Sequence, residues 1–524
     1  MKKDFILVKK VVSIFVLSAI TVLNVFPSTN VFAENSQDPA PYIQPAANAN
    51  GESILFDNTH EQTAGAADWV IDGGFSDYAN GLAQNGYYVK ELRKNTPITY
   101  DDLSSYNVFV IPEANIPFKT SEQDAILKYV KNGGSVFFIA DHYNSDRNKN
   151  RWDASEIFNG YRRGAYTNPT YEMISEEAAS VAMQGVGSSD WLSDNFGVRF
   201  RYNAVGDVNA TNIVSSDACF GITQGISAVA MHAGSTLAIT DPQKAKGIVY
   251  LPNGLTQSNK WASAVDDGVY DGGGIAEGPY VAIAKIGLGK AAFIGDSSAV
   301  EDATPKYLKE ETGEKKTTYD GYKEVDDAKL LNNLASWLST KESYSGFANA
   351  GIPLDSVTAL YSYETPANST EPKPEPWAAP ASGYKWYDPS TFKAGSYGYT
   401  ASQNPSNPTE STYSFGLPQT IYAGKSLPFT LNFSNLTPNT TYSGYQIGAY
   451  LDGGTQIGKF ANVNASFPAA YGYSSTFSIT TDSNGHASKQ MNFYIKDNTT
   501  GTFHLRLKQS SSNLLTANET ISAS

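Results

Sequence analysis

The sequence predicts an α/β domain followed by a β-sandwich, and three observations carry that prediction. From Glu52 to about Ser339, short β-rich apolar runs alternate with amphipathic helical stretches. This is the pattern of an open, mostly parallel sheet with helices on both faces, as in flavodoxin-like folds. A Pro-rich stretch around Pro366 to Pro380, TPANSTEPKPEPWAAP, then reads as an extended spacer. From about Thr412, six or more strand-length alternating runs separated by Gly, Pro, Asn and Asp indicate a sandwich of immunoglobulin type.

The expected organisation is 1–33 signal peptide, 34–51 linker, 52–345 α/β domain, 346–411 Pro/Tyr-rich linker and 412–524 sandwich. In the first segment Lys2, Lys3, Lys9 and Lys10 precede the apolar run Val11 to Phe26, and Val31-Phe32-Ala33 supplies a small-residue cleavage site. The apolar run stops short of the ~20 residues a spanning helix needs, and no later segment reaches that length. The chain is therefore expected to be secreted and extracellular, without a membrane span after cleavage, and monomeric. Removing residues 1–33 deletes four lysines and one aspartate and takes the formal charge from −14 to −17.

Strands are expected at Ser53–Phe56, Asn107–Ile111, Ser135–Ala140, Thr236–Ile239, Gly247–Tyr250, Tyr280–Lys285 and Ala291–Gly295. Helices are expected from Ala66 to Asn85, Ser121 to Lys131, Ser175 to Met183 and Asp326 to Ser339. Thr120-Ser121-Glu122 supplies N-capping residues for the second helix, and Asn132-Gly133-Gly134 closes it. Composition excludes several functions. The acidity argues against a basic nucleic-acid coat protein, and a single cysteine, Cys219, permits no internal disulfide and no Cys-rich zinc site.

In parallel sheets ligands bind beyond the carboxyl ends of the strands. Three strands there end alike: Asp57-Asn58-Thr59-His60, Asp141-His142, and Asp296-Ser297-Ser298. Carboxylates converging at one sheet edge raise one another's pKa unless a cation neutralises them. Asp57, His60, Asp141, His142 and Asp296 are thus expected as metal ligands or acid/base groups. The loop Asp146, Asn148, Asn150, Asp153 spaces oxygen side chains two apart, as calcium loops do, though Arg151 and Ile157 stand where an EF-hand has Gly and Glu. Arg147 would stabilise developing negative charge. His232, with no adjacent carboxylate, reads as structural.

Gly133-Gly134-Ser-Val-Phe-Phe-Ile139, Gly221-Ile-Thr-Gln-Gly-Ile226, and Gly289-Lys-Ala-Ala-Phe-Ile-Gly-Asp296 with the Leu330–Leu338 helix resemble the class I glutamine-amidotransferase-like superfamily. The likeness is to its non-amidotransferase, trehalose-utilisation and gliding-motility-related branches. Members with the amidotransferase activity carry a G-x-C-x-G elbow, which this chain lacks, so triad chemistry is not expected. Thr481-Asp-Ser-Asn-Gly-His-Ala487 is similar to a hairpin of bacterial immunoglobulin-like domains.

The leading expectation is a metal-dependent hydrolase of phosphoesters, nucleic acid included, with a divalent Ca, Mg, Mn or Zn ion. His60 or His142 would move protons, and an anionic polymer would be the partner. One alternative is a non-catalytic protein that binds cell wall or polysaccharide, with exposed Tyr and Trp near 384 to 399 stacking on sugars. Another is a metal-independent glycoside hydrolase using Asp141 and Asp296 as a carboxylate pair.

Overall fold

The computed structural model describes residues 34–522, apart from 47, 146, 266, 373–378, 401–411, 419, 435, 483, 484 and 511. The signal-peptide reading, Asp146 and the middle of the 481–487 hairpin therefore lie outside the described residues. The chain divides into two compact units, residues 1–402 and 403–524. No helix among the described residues is long and apolar enough to cross a membrane.

The first unit is built on a nine-stranded mixed sheet. Its strands are β1 (Tyr42–Ile43), β2 (Ser53–Asp57), β3 (Tyr88–Leu92), β4 (Val108–Ile111), β5 (Ser135–Ile139), β6 (Asn212–Ile213), β7 (Ala245–Tyr250), β8 (Pro279–Ile286) and β9 (Gly289–Ile294), arranged in the order β1-β3-β2-β4-β5-β9-β8-β7-β6. The strands β3, β2, β4, β5 and β9 run parallel, whereas β1, β8, β7 and β6 each pair antiparallel. The expected mostly parallel sheet is thus parallel only in its middle. β8 and β9 form a hairpin around Gly287 and Leu288, since a parallel pair needs a crossover of a dozen or more residues and none fits there. Leu237–Ile239 is a strand as expected, but it pairs with Val198–Phe200 in a separate small sheet.

Alternation along β2 feeds two cores. Ile54 and Phe56 join a cluster with Tyr78 and Leu82 of helix α1 (Ser76–Gln84) and Leu330, Leu331 and Leu334 of the helix Asp327–Ser339. Leu55 faces the other cluster, with Ile126 and Val130 of the helix Thr120–Lys131. The expected Ala66–Asn85 helix begins only at Ser76. Before it, Gly73 and Gly74 sit so close to Asp68 that a Cβ at Gly73 would lie 2.3 Å from the Asp68 carboxylate. The expected 175–183 helix is a single turn, Ser175–Ala178.

Residues expected on an exposed spacer pack instead into the first unit. Tyr384, Trp386 and Phe392 are buried in a cluster with Met183, and Glu364 is buried against Arg201 at 2.8 Å. In the second unit, sheets of four and five strands enclose one core, with Phe429, Leu431, Phe493 and Phe460 from one and Tyr445, Ile447, Leu505 and Leu507 from the other.

Candidate functional site

The parallel strands β2, β4, β5 and β9 are neighbours, so the loops leaving their carboxyl ends lie side by side. They bring Asp57, Asp141 and Asp296 to one edge, all buried, together with a group the sequence reading passed over, Glu113 after β4. Its signal was available, because Pro112-Glu113 directly follows an expected strand.

Most of these side chains are committed to the protein itself. Asp57 accepts from the Thr59 amide (3.0 Å) and hydroxyl (2.6 Å), the Gln62 amide (3.0 Å) and His60 Nδ1 (2.8 Å). His60 Nε2 lies 3.5 Å from Glu122, and its ring packs on Phe118 at 4.1 Å. Burial opposes the imidazolium, but the carboxylates of Asp57 and Glu122 outweigh it and push the pKa up to about 10. With its imidazolium held between the Asp57 and Glu122 carboxylates, His60 fastens this turn.

Asp141 accepts from the His142 amide (2.7 Å) and from Arg147 Nη2 (2.9 Å). His142 differs from His60: burial lowers its pKa, Nδ1 lies 2.7 Å from the Tyr143 carbonyl, and Nε2 is 3.8 Å from Asp141. Its ring rests 4.2 Å from that of Trp261. The neutral ring therefore donates through Nδ1 and keeps Nε2 basic. Asp296 accepts from the Ser298 amide (2.8 Å) and the His232 amide. Burial, and then the nearby Asp141, push the carboxyls of both Glu113 and Asp296 well above the usual range. Glu113 Oε1 accepts from Ser145 at 3.3 Å, and Oε2 has no hydrogen-bond partner among the described residues. His232, though it has no carboxylate neighbour in sequence, lies 3.1 Å from Asp207 and 2.9 Å from Glu324.

The calcium-type loop closes on itself. Asn148 Oδ1 accepts from the Asn150 amide (3.2 Å), Asn150 Oδ1 from the Trp152 amide, and both side-chain nitrogens hold the Asn115 carbonyl. Asp153 caps the helix Ala154–Asn159 and accepts from the Asn144 amide at 3.1 Å. The side-chain oxygens of Asn148 and Asn150 and Oδ2 of Asp153 are thus bonded to backbone N–H groups. Among the described residues no group of three or more His, Cys, Asp or Glu side chains is arranged to hold a metal ion.

An open cleft of about 570 Å³ lies beside this edge. One wall is the loop after β2, with Asn58, Thr59, Glu61 and Thr63, and the other includes Phe392 and Tyr397 from the segment expected as linker. Glu61 holds a left-handed backbone (φ 54°), uncommon for a non-glycine residue. Its carbonyl accepts from Asn115 (2.9 Å) and its carboxylate from Asn148 (3.0 Å), which ties the closed loop to the cleft. Desolvation chiefly, with repulsion from Glu310, pushes its pKa up to about 8 against the pull of the Asn148 hydrogen bond. Glu310, also in the lining, accepts from the Gly65 amide at 2.6 Å and lies 3.8 Å from the fully buried Lys316. Burial raises Glu310 while the Lys316 ammonium draws it down. Gly65 has φ 62°, and a Cβ there would meet the Arg147 backbone at 2.5 Å, so only glycine lets the two loops touch.

No family model and no curated protein matches the chain. Among solved structures, one described as "mmIFT52 N-terminal domain" is similar over 56% of this chain and 99% of that one, at 12% identity and a TM-score of 0.35. A β-glucosidase from Kluyveromyces marxianus is similar over 22% of this chain and 14% of that one, at 10% identity and a TM-score of 0.14. Neither likeness assigns the chain to a family, and its function rests on the geometry of the site.

Proposed function

We propose that the first unit is a hydrolase of glycosidic bonds, with Glu61 as general acid and Glu310 as its partner base. The observation that carries this reading is the pair of carboxyl groups lining one open cleft, with Glu61 raised to about 8. At neutral pH such a group retains its proton and delivers it to the leaving oxygen as the C–O bond breaks. A water molecule attacking the anomeric carbon would lose its proton to the Glu310 carboxylate, which the Lys316 ammonium helps keep ionised. Amide, hydroxyl and ring groups in the walls suit a sugar. Replacing the acid by its amide, Glu61→Gln, should lower kcat about 10²–10⁴-fold on a polysaccharide substrate. Unchanged turnover would sink the assignment.

A second reading, metal-assisted hydrolysis of a phosphoester, is favoured by the unpartnered Oε2 of Glu113 beside Asp141 and Asp296. Those oxygens suit a hard divalent cation, which would supply Lewis-acid activation of water, with His142 Nε2 free to accept a proton and Arg147 balancing charge. Loss of activity on chelation, restored by Mg, Mn or Ca, would select this reading over the first.

In either case our reading is of a monomer exported after removal of residues 1–33. The α/β unit would be a flavodoxin-like relative of the glutamine-amidotransferase-like superfamily without its thiol, and the immunoglobulin-like second unit would attach to cell wall or polysaccharide.

A further inference from the structure

We infer that the outer face of the five-stranded sheet in the second unit docks a linear anionic polymer of phosphodiester-linked polyol, held by a row of cations on the sheet's central strand. The inference rests on the reading of this unit as an attachment module and is independent of the chemistry in the first. The row lies on the strand Gly501–Gln509, which pairs with Thr441–Tyr450 on one side and Ser512–Ser522 on the other. Phe503, Leu505 and Leu507 are buried in the core, so the alternate residues His504, Arg506 and Lys508, all half-buried, stand together on the outer face. At about 3.4 Å per residue, neighbours in the row are roughly 7 Å apart along the strand.

The groups around the row hold the cations in place. The Arg506 guanidinium lies 4.8 Å from the centre of the Tyr450 ring and donates from Nε to Thr516 Oγ1 at 2.9 Å. The Lys508 ammonium lies 4.2 Å from the centre of the Tyr473 ring. That ring rests on Gly448, across the ladder from Arg506, where a Cβ would come within 2.8 Å of it. His504 lies 2.7 Å from both Asp452 and Asn518, and these hydrogen bonds raise its pKa and favour the imidazolium.

Charge sets this face apart. Residues 412–524 carry six Lys and Arg against four Asp and Glu, in a chain whose formal charge is −14. Cations bordering the cleft of the first unit are paired with carboxylates, as Lys94 is with Asp102 at 2.6 Å. Asp452 answers His504 in the same way, but neither Arg506 nor Lys508 has a carboxylate partner among the described residues. Glu519, on the neighbouring strand, stands opposite the buried Phe503 and so lies on the core side of the sheet. Arginine receives a phosphate on the remaining N–H groups of its fork, and lysine attracts it as a point charge. The acidity of the rest of the chain is screened beyond about 10 Å at 0.1 M salt. A base or a sugar ring would be held by stacking, yet the Tyr450 and Tyr473 rings already carry cations. The face offers charge and hydrogen bonds, which suits phosphates joined by an open polyol better than nucleic acid or a uronate.

The test measures binding of the full-length protein to poly(glycerol phosphate) by calorimetry, with polygalacturonate, a single-stranded oligothymidylate and a neutral glucan as comparisons. Poly(glycerol phosphate) should bind tightest, and more weakly as salt is raised. Arg506→Gln with Lys508→Gln should weaken it at least about tenfold, as for two cations removed from an anionic surface. Lys459→Gln with Lys496→Gln, an equal loss of charge beside the four-stranded sheet, should change it by less than about twofold. Thermal melting checks that both pairs fold; if the first does not, Lys508→Gln alone decides, with an expected loss of about threefold or more. Equal weakening by the two pairs, or tighter binding of polygalacturonate or oligothymidylate, would overturn the inference. A neutral glucan bound tightest, and unaffected by Arg506→Gln with Lys508→Gln, would overturn it while leaving the attachment reading intact. No binding of any polymer would remove both.

Discussion

Two groups of carboxylates lie near the same sheet edge, and they differ in whether they line the cleft. Asp57, Asp141 and Asp296 answer to nearby amides, a histidine and Arg147, and are sealed from solvent. Glu61, half-buried, and Glu310, buried, line an open cleft. Carboxylates of the first kind hold loops together, and those of the second kind are available for chemistry. The difference lies in position beside the cleft, since both kinds accept hydrogen bonds from the protein.

The comparison can be broken by exchanging the effects of substitution. The largest effect separating the two groups should be on stability at Asp141. Asp141→Ala leaves the half-buried Arg147 guanidinium without its 2.9 Å partner and should cost about 2 kcal/mol in denaturant unfolding, in the range for losing a charged hydrogen bond. Glu61→Gln, despite its loss of rate, should change unfolding by less than about 1 kcal/mol. If the two values were reversed, the division of roles would be wrong.

A smaller effect concerns pH. His60 has a folded pKa of about 10, above its ordinary value of 6.5, so its stabilisation is complete below pH 6.5 and is lost as pH rises towards 10. Glu122, drawn down to about 2 by the His60 charge against burial, has its stabilisation present above pH 4.5 and loses it as pH falls towards 2. The difference in melting temperature between wild type and His60→Gln should therefore be widest between about pH 4.5 and 6.5 and shrink on either side. A difference that grew from pH 7 to 10 would contradict the ion-paired assignment. The smallest effect should come from Asn148→Ala, which removes a hydrogen bond that favours the Glu61 carboxylate and should therefore move the alkaline limit of activity to higher pH, whereas Glu61→Gln abolishes that limit.

Much of this edge was legible in the sequence. Apolar runs ending in Asp or Asp-His located β2, β5 and β9, and the parallel centre of the sheet follows from the helices that separate β2, β4 and β5. The antiparallel side was readable in principle, because the few residues between Lys285 and Ala291 cannot hold a crossover. Strand β3 was missed because Lys90 and Glu91 interrupt its apolar pattern. The linker reading failed at Tyr384, Trp386 and Phe392 because Pro-rich composition predicts backbone stiffness and says nothing about which aromatic rings find a groove. The calcium-loop spacing was real, yet spacing cannot tell a side-chain oxygen aimed at a cation from one folded back on the next amide but one, as in Asn148 and Asn150. Glu61 carried no motif at all. Its raised pKa comes from desolvation and from Glu310, 249 positions away in the chain, a contact that only the fold creates.

The central claim is tested most directly by the pH profile of kcat/KM on a neutral oligosaccharide. The account predicts activity that falls above about pH 8 as Glu61 loses its proton, and a Glu61→Gln enzyme whose residual activity lacks that limb. A wild-type profile that stays flat through pH 9, or an alkaline limb that survives in Glu61→Gln, would contradict it.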